Sequence, residues 1–573
     1  MKNKVEYPDP IRIREHTVLL TDDWFFSFEG KNWRPINVPF CPESELSGIG
    51  YRDFIPVCRY KKTVSLSRVK DRRAMLHFGA VDYRAAVFVN GIYAGSHTGG
   101  YTPFAFDITD FIAEGENRIE VAVYDGETGV AASGKQSRKR ESYGCFYTRV
   151  TGIWQPVWLE YVPENRIENV FFTPLENAVE ARLRVNGRGR YRMEVTFDGA
   201  PVGVAEGEIA YERRVVIPLS ETHLWSVRKG NLYDVRILYG DDELFSYFGL
   251  RTVRYEGEKF LLNGEPLFQR LVLDQGYYPD GVYTPKDLAA MRRDIALSQE
   301  LGFNGARLHE KVFDPRFLYL CDEAGYMVWG EFAGWGVDYS DLGNAGQVLA
   351  EWAETLERDF NHPSIVTWCP LNEVWGGLND AEKRRDVRFV DTVYEFTKKF
   401  DCTRPCVDAS GGHHGSATDL FDFHCYEDYP ALKTYLDALR RDSVLNVGLL
   451  YGADGAKYRK GQPVNISECG GWGFFPMAHL QYNSSVNEHE MKCRDDWGYG
   501  CGESDGDAFA LRYKNLVELI SSYPQISGFC YTQLYDVEQE QNGFYRFDRS
   551  DKLNENQKRI IRAANALTAA VEK

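Results

Sequence analysis

The sequence predicts a multidomain chain in which two β domains precede a (β/α)8 barrel. Two observations predict it: short apolar runs broken by turn residues fill the first part of the chain, and strand-like runs alternate with helical periods in the rest. The predicted domains are a jelly roll at residues 1–162, an immunoglobulin-like sandwich at 163–254 and a TIM barrel at 255–573.

The two β regions differ in the spacing of their runs. Residues 1–162 contain RAMLHFGA, AAVFVNGIYAG and RIEVAVYD, separated by Gly, Asp and Asn, which is typical of a jelly roll or sandwich. Residues 163–254 contain runs from NVFFTP to YDVRILYG, each ending at a turn. Five or more strands in about ninety residues favour an immunoglobulin-like sandwich.

The barrel prediction depends on eight strand candidates, most of them followed by helical stretches such as PKDLAAMRRDIALSQELG. An open doubly wound sheet is the alternative, but no glycine-rich phosphate loop follows the first candidate. The candidates are FQRLVLDQG (268–276), FNGARLH (303–309), YMVWGEF (326–332), SIVTWCPLNE (364–373), CVDAS (406–410), LFDFHCY (420–426), PVNISECGG (463–471) and ISGFCYTQL (526–534).

Composition and charge restrict the class of partner. Aromatic residues make up 14% of the chain, and flat apolar rings stack on sugars and on nucleobases. With 67 Lys and Arg against 84 Asp and Glu, the net charge is −17, and so acidic a surface repels a phosphate backbone. Carbohydrate is therefore the expected partner, and nucleic acid is excluded.

The sequence has no pattern typical of a signal peptide, of a membrane span or of a zinc-binding cysteine pair. The first twenty residues carry charges throughout, and no apolar run approaches the length of a membrane span. The 12 cysteines are scattered and lack the paired spacing of a zinc site. We expect a cytoplasmic protein with no membrane contact, reduced and mostly buried thiols, and no metal site.

Polar residues end most of the barrel strand candidates. Active sites of such barrels lie at the carboxyl ends of the strands. A polar side chain at the end of an apolar strand costs free energy to bury unless it finds hydrogen-bond partners, so these side chains are expected to converge on a shared polar cavity. We expect convergence of Arg307 and His309 from the second candidate, Glu331 from the third, Asn372 and Glu373 from the fourth, His424 and Tyr426 from the sixth, Glu468 from the seventh, and Tyr531 and Gln533 from the eighth.

Two of these residues are carboxylates that directly follow apolar runs. Glu373 follows SIVTWCPLN and Glu468 follows PVNIS, and the fourth and seventh strands of a barrel face each other across its mouth. Two carboxyl groups about 5 Å apart, one ionised and one protonated, are what retaining glycoside hydrolysis needs. The alternative for each residue is a salt-bridged glutamate at a strand end.

Several segments resemble glycoside hydrolase family 2, which contains β-galactosidases, β-glucuronidases and β-mannosidases. NHPSIVTWCPLNE (361–373) is similar to the acid/base strand of the family, residues 302–332 to its second and third barrel strands, and PVNISECGG to its nucleophile strand. VNGIYAGSHTGGYTPFAFDIT (89–109) and GIWQPVWLE (152–160) resemble its sugar-binding jelly roll. The resemblance covers nearly the whole chain in the domain order of the family.

The resemblance implies a role for each residue at the centre of the site. Glu373 would be the general acid/base and Glu468 the nucleophile, while Asn372 would hold the 2-hydroxyl of the sugar. Arg307 would orient Glu468 and keep it ionised, because a nearby cation lowers the pKa of a carboxylate. The other implied pocket residues are His309, His424 and Tyr426, the last as a hydrogen-bond donor to Glu468.

Other residues have two interpretations each. Glu331 either binds a sugar hydroxyl or braces Arg307. The basic run GKQSRKRESYG (134–144) is interpreted as a solvated loop rather than a ligand site. Four tryptophans just beyond strand ends either stack on the sugar or pack within loops: Trp335, Trp375, Trp472 and Trp497.

The segment after the eighth candidate predicts which sugar is bound. Family members that cleave glucuronides carry an Asn-x-Lys motif there, which grips the sugar carboxylate, whereas this sequence has Glu540, Gln541 and Asn542. Because Glu540 would repel a uronate, a neutral sugar such as galactose is expected, with Glu540 and Asn542 bonding its hydroxyls. Arg546 could instead clamp a uronate carboxylate.

The sequence therefore predicts a retaining exo-β-glycosidase, with β-galactosidase first and a β-hexuronidase (galacturonidase or glucuronidase) or β-mannosidase as alternatives. The substrate would be a small-molecule or oligosaccharide β-glycoside, and carboxylate chemistry requires no cofactor. A non-catalytic carbohydrate-binding protein is the alternative from another class, against which the full set of catalytic-type residues argues. The oligomeric state stays open, a homo-oligomer included.

Overall fold

Antiparallel strands occupy the chain as far as residue 266, and parallel strands alternating with helices begin at residue 269. This change of architecture agrees with the β regions and the barrel expected from the sequence. No helix in the described part of the chain is both long and apolar enough to cross a membrane. The residues that the computed structural model describes are 4–126, 131–374, 385–445, 458–475 and 496–573.

The N-terminal strands form sheets whose side chains alternate between buried and exposed positions, because one face of each sheet covers a core. They are β1 (Thr17–Leu19), β2 (Trp24–Ser27), β3 (Arg34–Ile36), β4 (Val57–Leu66), β5 (Arg72–Phe78), β6 (Val81–Asp82), β7 (Arg84–Val89), β8 (Ile92–Thr98), β9 (Phe104–Asp107), β10 (Gly115–Tyr124), β11 (Gly152–Ile153) and β12 (Val157–Pro163).

These strands make a two-sheet sandwich. A six-stranded sheet has the order β3-β2-β4-β10-β7-β8, a four-stranded sheet has the order β1-β12-β5-β9, and β6 pairs with β11. Phe26 and Val87 from the larger sheet share one apolar core with Leu76 and Leu159 from the smaller sheet. The sandwich is therefore held together mainly by burial of apolar side chains between its sheets.

The second β region is one antiparallel sheet with the order β13-β14-β16-β17 and with β15 paired to β14. Asp198 and Gly199 join β14 to β15, and both have positive φ, as a two-residue hairpin turn requires. A three-stranded sheet then leads to the barrel. The strands are β13 (Ile167–Pro174), β14 (Ala178–Phe197), β15 (Ala200–Pro218), β16 (Tyr233–Tyr239), β17 (Asp242–Phe248), β18 (Val253–Glu256), β19 (Lys259–Leu262) and β20 (Glu265–Pro266).

Seven parallel strands curl around the barrel interior. They follow seven of the eight sequence candidates and have the order β24-β23-β22-β21-β29-β26-β25. Nearly every residue in them is buried, as expected for a parallel sheet covered on both faces. They are β21 (Gln269–Asp274), β22 (Gly305–Leu308), β23 (Met327–Glu331), β24 (Ile365–Cys369), β25 (Phe421–Cys425), β26 (Val464–Cys469) and β29 (Ile526–Tyr531); β27 (Trp472–Phe474) and β28 (Tyr499–Glu503) form a separate pair.

The remaining candidate, residues 406–410, is not a continuous strand. It lies beside β24 through isolated parallel bridges, Trp368 with Cys406 and Asn372 with Ser410. Pro370, which lies between the two bridge positions next to β24, has no N–H to donate, and this interrupts the ladder. On the other side, the Ser410 hydroxyl donates to Asp422 of β25 (2.9 Å), so side chains rather than a described backbone ladder join this segment to β25.

Helices follow the barrel strands in the alternation expected from the sequence. Asp287, Asp314, Asp386 and Asp505 accept hydrogen bonds from the first-turn N–H groups of their helices, which is the usual role of an N-cap aspartate. The helices are α1 (Leu288–Glu300), α2 (Pro315–Ala324), α3 (Ala345–Asp359), α4 (Val387–Phe400), α5 (Tyr429–Asp442), α6 (Gly506–Ser521) and α7 (Glu555–Asn565).

Buried hydrogen bonds join the second β region to the barrel. Tyr247 of β17 donates to the Asp322 carboxylate of α2 (2.8 Å), and Trp225 donates its indole N–H to the Asp322 carbonyl (2.8 Å). Asn361, just before β24, accepts from the Phe172 amide (2.8 Å). Because these polar groups are buried, each bond restrains the barrel against the β region.

Arg404 ties the start of β24 to the loop after α4, and its loss should destabilise the barrel. Its guanidinium donates to the carbonyls of Phe360, His362 and Ile365 at 2.6–2.9 Å and pairs with Asp401 at 2.6 Å. We expect Arg404→Leu to cost about 3–5 kcal/mol in urea unfolding, because the buried Asp401 carboxylate loses its cationic partner and three carbonyls lose a charged donor.

The matched control is Arg388→Leu, which breaks the Arg388 pair with Asp386 on the surface, where the Arg388 side chain is 75% exposed. It should cost much less than Arg404→Leu, because solvent screens an exposed ion pair. Equal losses in the two variants would show that burial does not determine the contribution of Arg404.

Candidate active site

The carboxyl ends of the parallel strands bring most of the expected polar residues together. β22, β23 and β26 end in or next to buried charged residues, and none of these side chains is more than a few per cent exposed. Hydrogen bonds or ion pairs connect the following into one cluster: Arg307, His309, Glu331, Asn372, Glu373, His424, Tyr426 and Glu468.

Arg307 is the centre of the hydrogen-bond network. Its Nε donates to Glu331 Oε1 (2.5 Å), and its Nη2 donates to Asn372 Oδ1 (3.2 Å). Its Nη1 donates to the Ser467 carbonyl (2.7 Å) and to Glu468 Oε1 (3.0 Å). A fully buried guanidinium needs this many acceptors to offset its desolvation, so Arg307 fixes three strand ends relative to one another.

Glu331 braces Arg307. It accepts from Arg307 and lies 3.0 Å from His309 Nδ1, so both of its oxygens are occupied within the protein. Burial raises the pKa of Glu331, although the charge of Arg307 opposes the shift. Of the two interpretations of this residue, the structure favours the brace.

Glu468 is held as a carboxylate. Its Oε1 accepts from Arg307, and its Oε2 accepts from the Tyr426 hydroxyl. Burial opposes ionisation, but the surrounding positive charges, His424 foremost and Arg307 and Lys135 among them, outweigh it and lower the pKa of Glu468 to about 2. Glu468 is therefore negatively charged at any physiological pH.

His424 lies between the two candidate catalytic carboxylates. Its Nδ1 is 2.6 Å from Glu373 Oε1, and its Nε2 is 3.4 Å from Glu468 Oε1. Burial opposes protonation of His424, but the charges of Glu468 and Glu373 outweigh it and raise the pKa of the imidazole. A protonated His424 therefore offsets the repulsion between two carboxyl groups that lie close together.

His309 differs from His424 in charge. Burial and the nearby Lys135 lower the pKa of His309 well below its usual value, so the ring is neutral at physiological pH. Its Nδ1 donates to Glu331. Its Nε2, which then carries the lone pair, lies 3.8 Å from Glu468 Oε1. His309 therefore supplies a neutral hydrogen-bonding group to the pocket.

The two carboxyl groups have the spacing of a retaining glycosidase. One oxygen of Glu373, one of Glu468 and one nitrogen of His424 all lie within 4.8 Å of one another, close to the carboxyl separation of about 5–5.5 Å typical of that mechanism. In the described residues this is the one group of three side chains with a donor set that could hold a metal ion.

Asn372 presents a free donor to the cavity. Its Oδ1 accepts from Arg307, whereas its buried Nδ2 has no hydrogen-bond partner among the described residues. Glu373, the next residue, has a left-handed backbone (φ 44°) and donates its amide to the Ser410 carbonyl (2.8 Å). This turn lets consecutive residues serve the same site, and unusual backbone conformations of this kind cluster in functional sites.

A loop of the N-terminal β region, residues 131–150, forms one wall of the site. The amides of Ser133 and Gly134 donate to the Trp335 carbonyl (2.7 and 3.0 Å) beyond β23. At the other side of the loop, Trp497 donates to the Gly144 carbonyl (2.8 Å). Loop 131–150 is therefore held between barrel segments that come from different strands.

Trp335 belongs to this wall. It is buried, its indole N–H donates to the Asn372 carbonyl (3.1 Å), and its amide donates to Glu310 (2.9 Å). The Lys135 ammonium lies 4.0 Å from the centre of its ring, within cation–π distance. Trp335 thus positions both the strand end with Asn372 and a lysine from the other domain.

Lys135 corrects the interpretation of the basic run 134–144. Arg138, Lys139 and Arg140 of that run are exposed, but Lys135 is only 7% exposed and its charge acts on the candidate catalytic carboxylates. The sequence favours a solvated loop because eight of the eleven residues in this run are polar or charged, and nothing local marks one lysine as different. Lys135 is buried by a barrel segment some two hundred residues away.

Glu540 and Asn542 are buried beside the site and bonded to each other. Asn542 donates to Glu540 (2.9 Å) and accepts from Gln533 (2.8 Å), and the Tyr147 hydroxyl of loop 131–150 donates to the other Glu540 oxygen. Burial raises the pKa of Glu540 despite these donors and the charge of Lys135. Tyr147, which no local signal singled out, is a further residue of the site.

The remaining residues considered from the sequence are Trp472, Trp375 and Arg546. Trp472 packs under the Arg512 guanidinium (4.1 Å) and edge-on against Tyr531. Trp375 lies outside the described residues. Arg546 is exposed and donates to the Asp551 carbonyl in a turn, so the bidentate uronate clamp considered for it is wrong.

Two models of one family match the chain in N- to C-terminal order. The sugar binding domain of the glycosyl hydrolases family 2 matches residues 43–163, and the TIM barrel domain of that family matches residues 253–448. The chain belongs to glycoside hydrolase family 2. This family match confirms the resemblance drawn from the strand-end motifs.

Relatives within the family carry different names. A β-galactosidase of Thermoanaerobacter pseudethanolicus is 28% identical over 72% of this chain and 56% of its own length. A β-glucuronidase of Rattus norvegicus is 26% identical over 66% of this chain and 63% of its own length. The chain thus spans about half the length of the curated relatives that it matches.

Solved structures share the fold over nearly their whole length. A galacturonate-bound β-galacturonidase of Eisenbergiella tayi has a TM-score of 0.74 at 21% identity, covering 98% of this chain and 99% of that chain. A β-glucuronidase of Faecalibacterium prausnitzii has a TM-score of 0.75 at 21% identity, covering 97% and 99%.

The close contact at Gly134 should fix loop 131–150. Gly134 has φ 53°, and a Cβ added there would lie 2.1 Å from the Glu310 carbonyl oxygen, which no rotamer change can relieve. We expect Gly134→Ala to push the loop away from the barrel and to speed amide hydrogen exchange in residues 131–150 by at least about ten-fold.

Gly48→Ala is the matched control, because Gly48 also has positive φ (81°) but nothing lies within 4 Å of its added Cβ. It carries the same type of backbone penalty without the contact. If exchange of residues 131–150 were the same in both variants, the contact with Glu310 would not be what holds the loop.

Proposed function

We propose that this chain is a retaining exo-β-glycosidase, in which Glu468 is the nucleophile and Glu373 the general acid/base. The observation that carries the proposal is the pair of carboxyl groups within 4.8 Å of each other, one of them bonded to both Arg307 and Tyr426. We further propose the division into domains at 1–162, 163–254 and 255–573, with loop 131–150 completing the catalytic site of the barrel.

In the first step, an oxygen of Glu468 attacks C1 of the terminal sugar as the bond from C1 to the leaving oxygen breaks. Glu373 gives its proton to that oxygen, and the alcohol departs. Asn372 Nδ2, which lacks a partner among the described residues, is suited to hold the 2-hydroxyl as positive charge develops on the ring.

In the second step, water replaces the leaving alcohol. Glu373 removes a proton from the water, the resulting hydroxide equivalent attacks C1, and Glu468 leaves as a carboxylate. The products are the free sugar and the alcohol, with Glu373 protonated again. The positive groups around Glu468 favour this departure because they stabilise its ionised form.

The identity of the sugar has two candidates. A β-galactoside is supported by relatives named β-galactosidase and by Glu540 in place of a cation. A β-hexuronide is favoured by one specific observation, the buried Lys135 ammonium beside Trp335. A panel of p-nitrophenyl β-glycosides (galactoside, galacturonide, glucuronide, glucoside, mannoside and fucoside) separates these candidates and the β-mannoside alternative.

Replacing either carboxylate should abolish turnover. We expect Glu468→Gln and Glu373→Gln to lower kcat on the best aryl glycoside by at least about 10³-fold, because each removes a group that acts in both chemical steps. A 2-fluoro glycosyl fluoride should leave a covalent adduct on Glu468 in the wild type, detected by mass spectrometry of the peptide.

The matched control is Glu265→Gln, an exposed glutamate on β20, which should keep wild-type activity. Full activity in Glu468→Gln and Glu373→Gln would refute the proposal. A wild type that binds sugars but forms no adduct and cleaves no glycoside in the panel would instead be a non-catalytic carbohydrate-binding protein.

Because the pKa of Glu468 is about 2, the rate constant of the first step should hardly depend on pH well above that value. A carboxylate with a lowered pKa is ionised above that value, and the raised pKa of His424 favours the protonated imidazole at acid pH. In Glu373→Gln with a 2,4-dinitrophenyl glycoside, which needs no proton on its leaving group, the first-step rate constant should change by less than about two-fold from pH 4 to 6.

Stopped-flow release of dinitrophenol measures that rate constant. A sigmoidal rise with a midpoint between pH 4 and 6 would contradict the expected ionisation of Glu468. A Glu265→Gln, Glu373→Gln double variant controls for effects of surface charge.

A further inference from the structure

Lys135 is a buried cation without an anionic partner in the described residues. Its side chain is almost fully covered, and its Nζ lies 4.0 Å from the centre of the Trp335 ring. Among the ion pairs of the described ranges, none joins its Nζ to a carboxylate oxygen within 4.0 Å. Because burying an ammonium group is costly unless it is paired, this lysine requires a compensating role.

The backbone around Lys135 is fixed before any ligand arrives. The Lys135 carbonyl accepts from the Tyr147 amide (2.8 Å), and Ser137 donates to the Tyr147 carbonyl (2.8 Å). The preceding Gly134 bonds to Trp335 of the barrel (3.0 Å). A cation held in this way loses little freedom on binding a ligand, which strengthens the interaction.

The charge of Lys135 reaches the cavity between the carboxylates. It contributes to the lowered pKa values of His309 and Glu468. Burial would lower its own pKa, but the nearby Cys145 and the charges of Glu468, Glu540 and Glu373 outweigh that effect and raise it. Lys135 therefore stays protonated and lies on the side of the pocket lined by the ends of β22, β23 and β29.

Glu540 does not block an anionic ligand as the sequence suggested. Both of its oxygens accept hydrogen bonds, one from Tyr147 and one from Asn542, so the carboxylate is satisfied within the protein. Lys135 is near enough to lower its pKa against the effect of burial. At this wall of the pocket, a carboxylate with both oxygens bonded thus lies near an ammonium group that has no carboxylate partner among the described residues.

We propose that Lys135, supplied by the N-terminal β region, binds the carboxylate of the terminal sugar, so that the preferred substrates are β-hexuronides. This inference rests on the proposed glycosidase function and names its substrate class. A sugar carboxylate would complete the close ion pair that Lys135 lacks in the described residues, whereas a galactose hydroxymethyl group would bring no negative charge to the ammonium.

The test compares kcat/KM for matched pairs of p-nitrophenyl glycosides: galacturonide with galactoside, and glucuronide with glucoside. In the wild type, one uronide should exceed its neutral partner by at least about 100-fold. Lys135→Gln should lower kcat/KM for that uronide by about 30-fold or more, the loss expected when one partner of a buried charge pair is removed, and change the neutral sugar by less than about five-fold.

Two further variants separate charge from structure. Lys135→Arg keeps the charge and should recover at least about a tenth of the uronide activity, which a purely structural role would not predict. Lys139→Gln, an exposed lysine in the same loop, should leave both activities unchanged. Inhibition of the wild type by free galacturonate and glucuronate, compared with galactose and glucose, tests the preference even if the Lys135 variants fold poorly.

The outcomes distinguish the two proposals. Cleavage of neutral glycosides in preference to both uronides, or an equal loss on all substrates in Lys135→Gln, overturns the role of Lys135 and leaves the glycosidase intact. Absence of turnover and of a covalent adduct with every glycoside overturns the glycosidase itself. A uronide preference that Lys135→Gln abolishes and Lys135→Arg restores supports both.

Discussion

The buried guanidinium of Arg307 is the constraint on which the site depends. It bonds to acceptors from three strands, Glu331, Asn372 and Glu468, and a cation in that position is tolerable only when all of them are in place. The barrel cannot shift one of these strand ends without leaving a charge unpaired. The same network holds Glu468 ionised, so the stability of this end of the barrel and the reactivity of the proposed nucleophile depend on the same bonds.

Local patterns were sufficient to predict the strands and the residues at their ends. Apolar runs that stop at Arg307, Glu331, Glu373 and Glu468 indicate parallel strands with a polar mouth, and the structure has these strands in barrel order. The pattern also predicts the segment 406–410, but its ladder is interrupted at Pro370, and side-chain bonds span the gap to β25. A strand pattern does not encode such bonds.

Contacts between distant parts of the chain could not be predicted. Whether Glu331 braces an arginine or binds a sugar depends on distances that spacing along the chain does not contain. The sequence alone presents Glu540 as a carboxylate without hydrogen-bond donors, because its donor Tyr147 is 393 residues away along the chain. Lys135 was assigned to a solvated loop for the same reason: its burial depends on Trp335, in another domain, and nothing in its own run of charges distinguishes it from its exposed neighbours.

The barrel strand ends and loop 131–150 contribute different properties to one pocket. Bond breaking depends on strand ends that Arg307 holds, and substitutions there are severely constrained. Recognition of the sugar depends in part on a loop that belongs to another domain and is joined to the barrel mainly through its backbone. Side chains in that loop can change during evolution without disturbing the catalytic strands. Sugar preference can therefore diverge among related chains while the chemistry is inherited unaltered, and grafting this loop is a practical route to redirecting it.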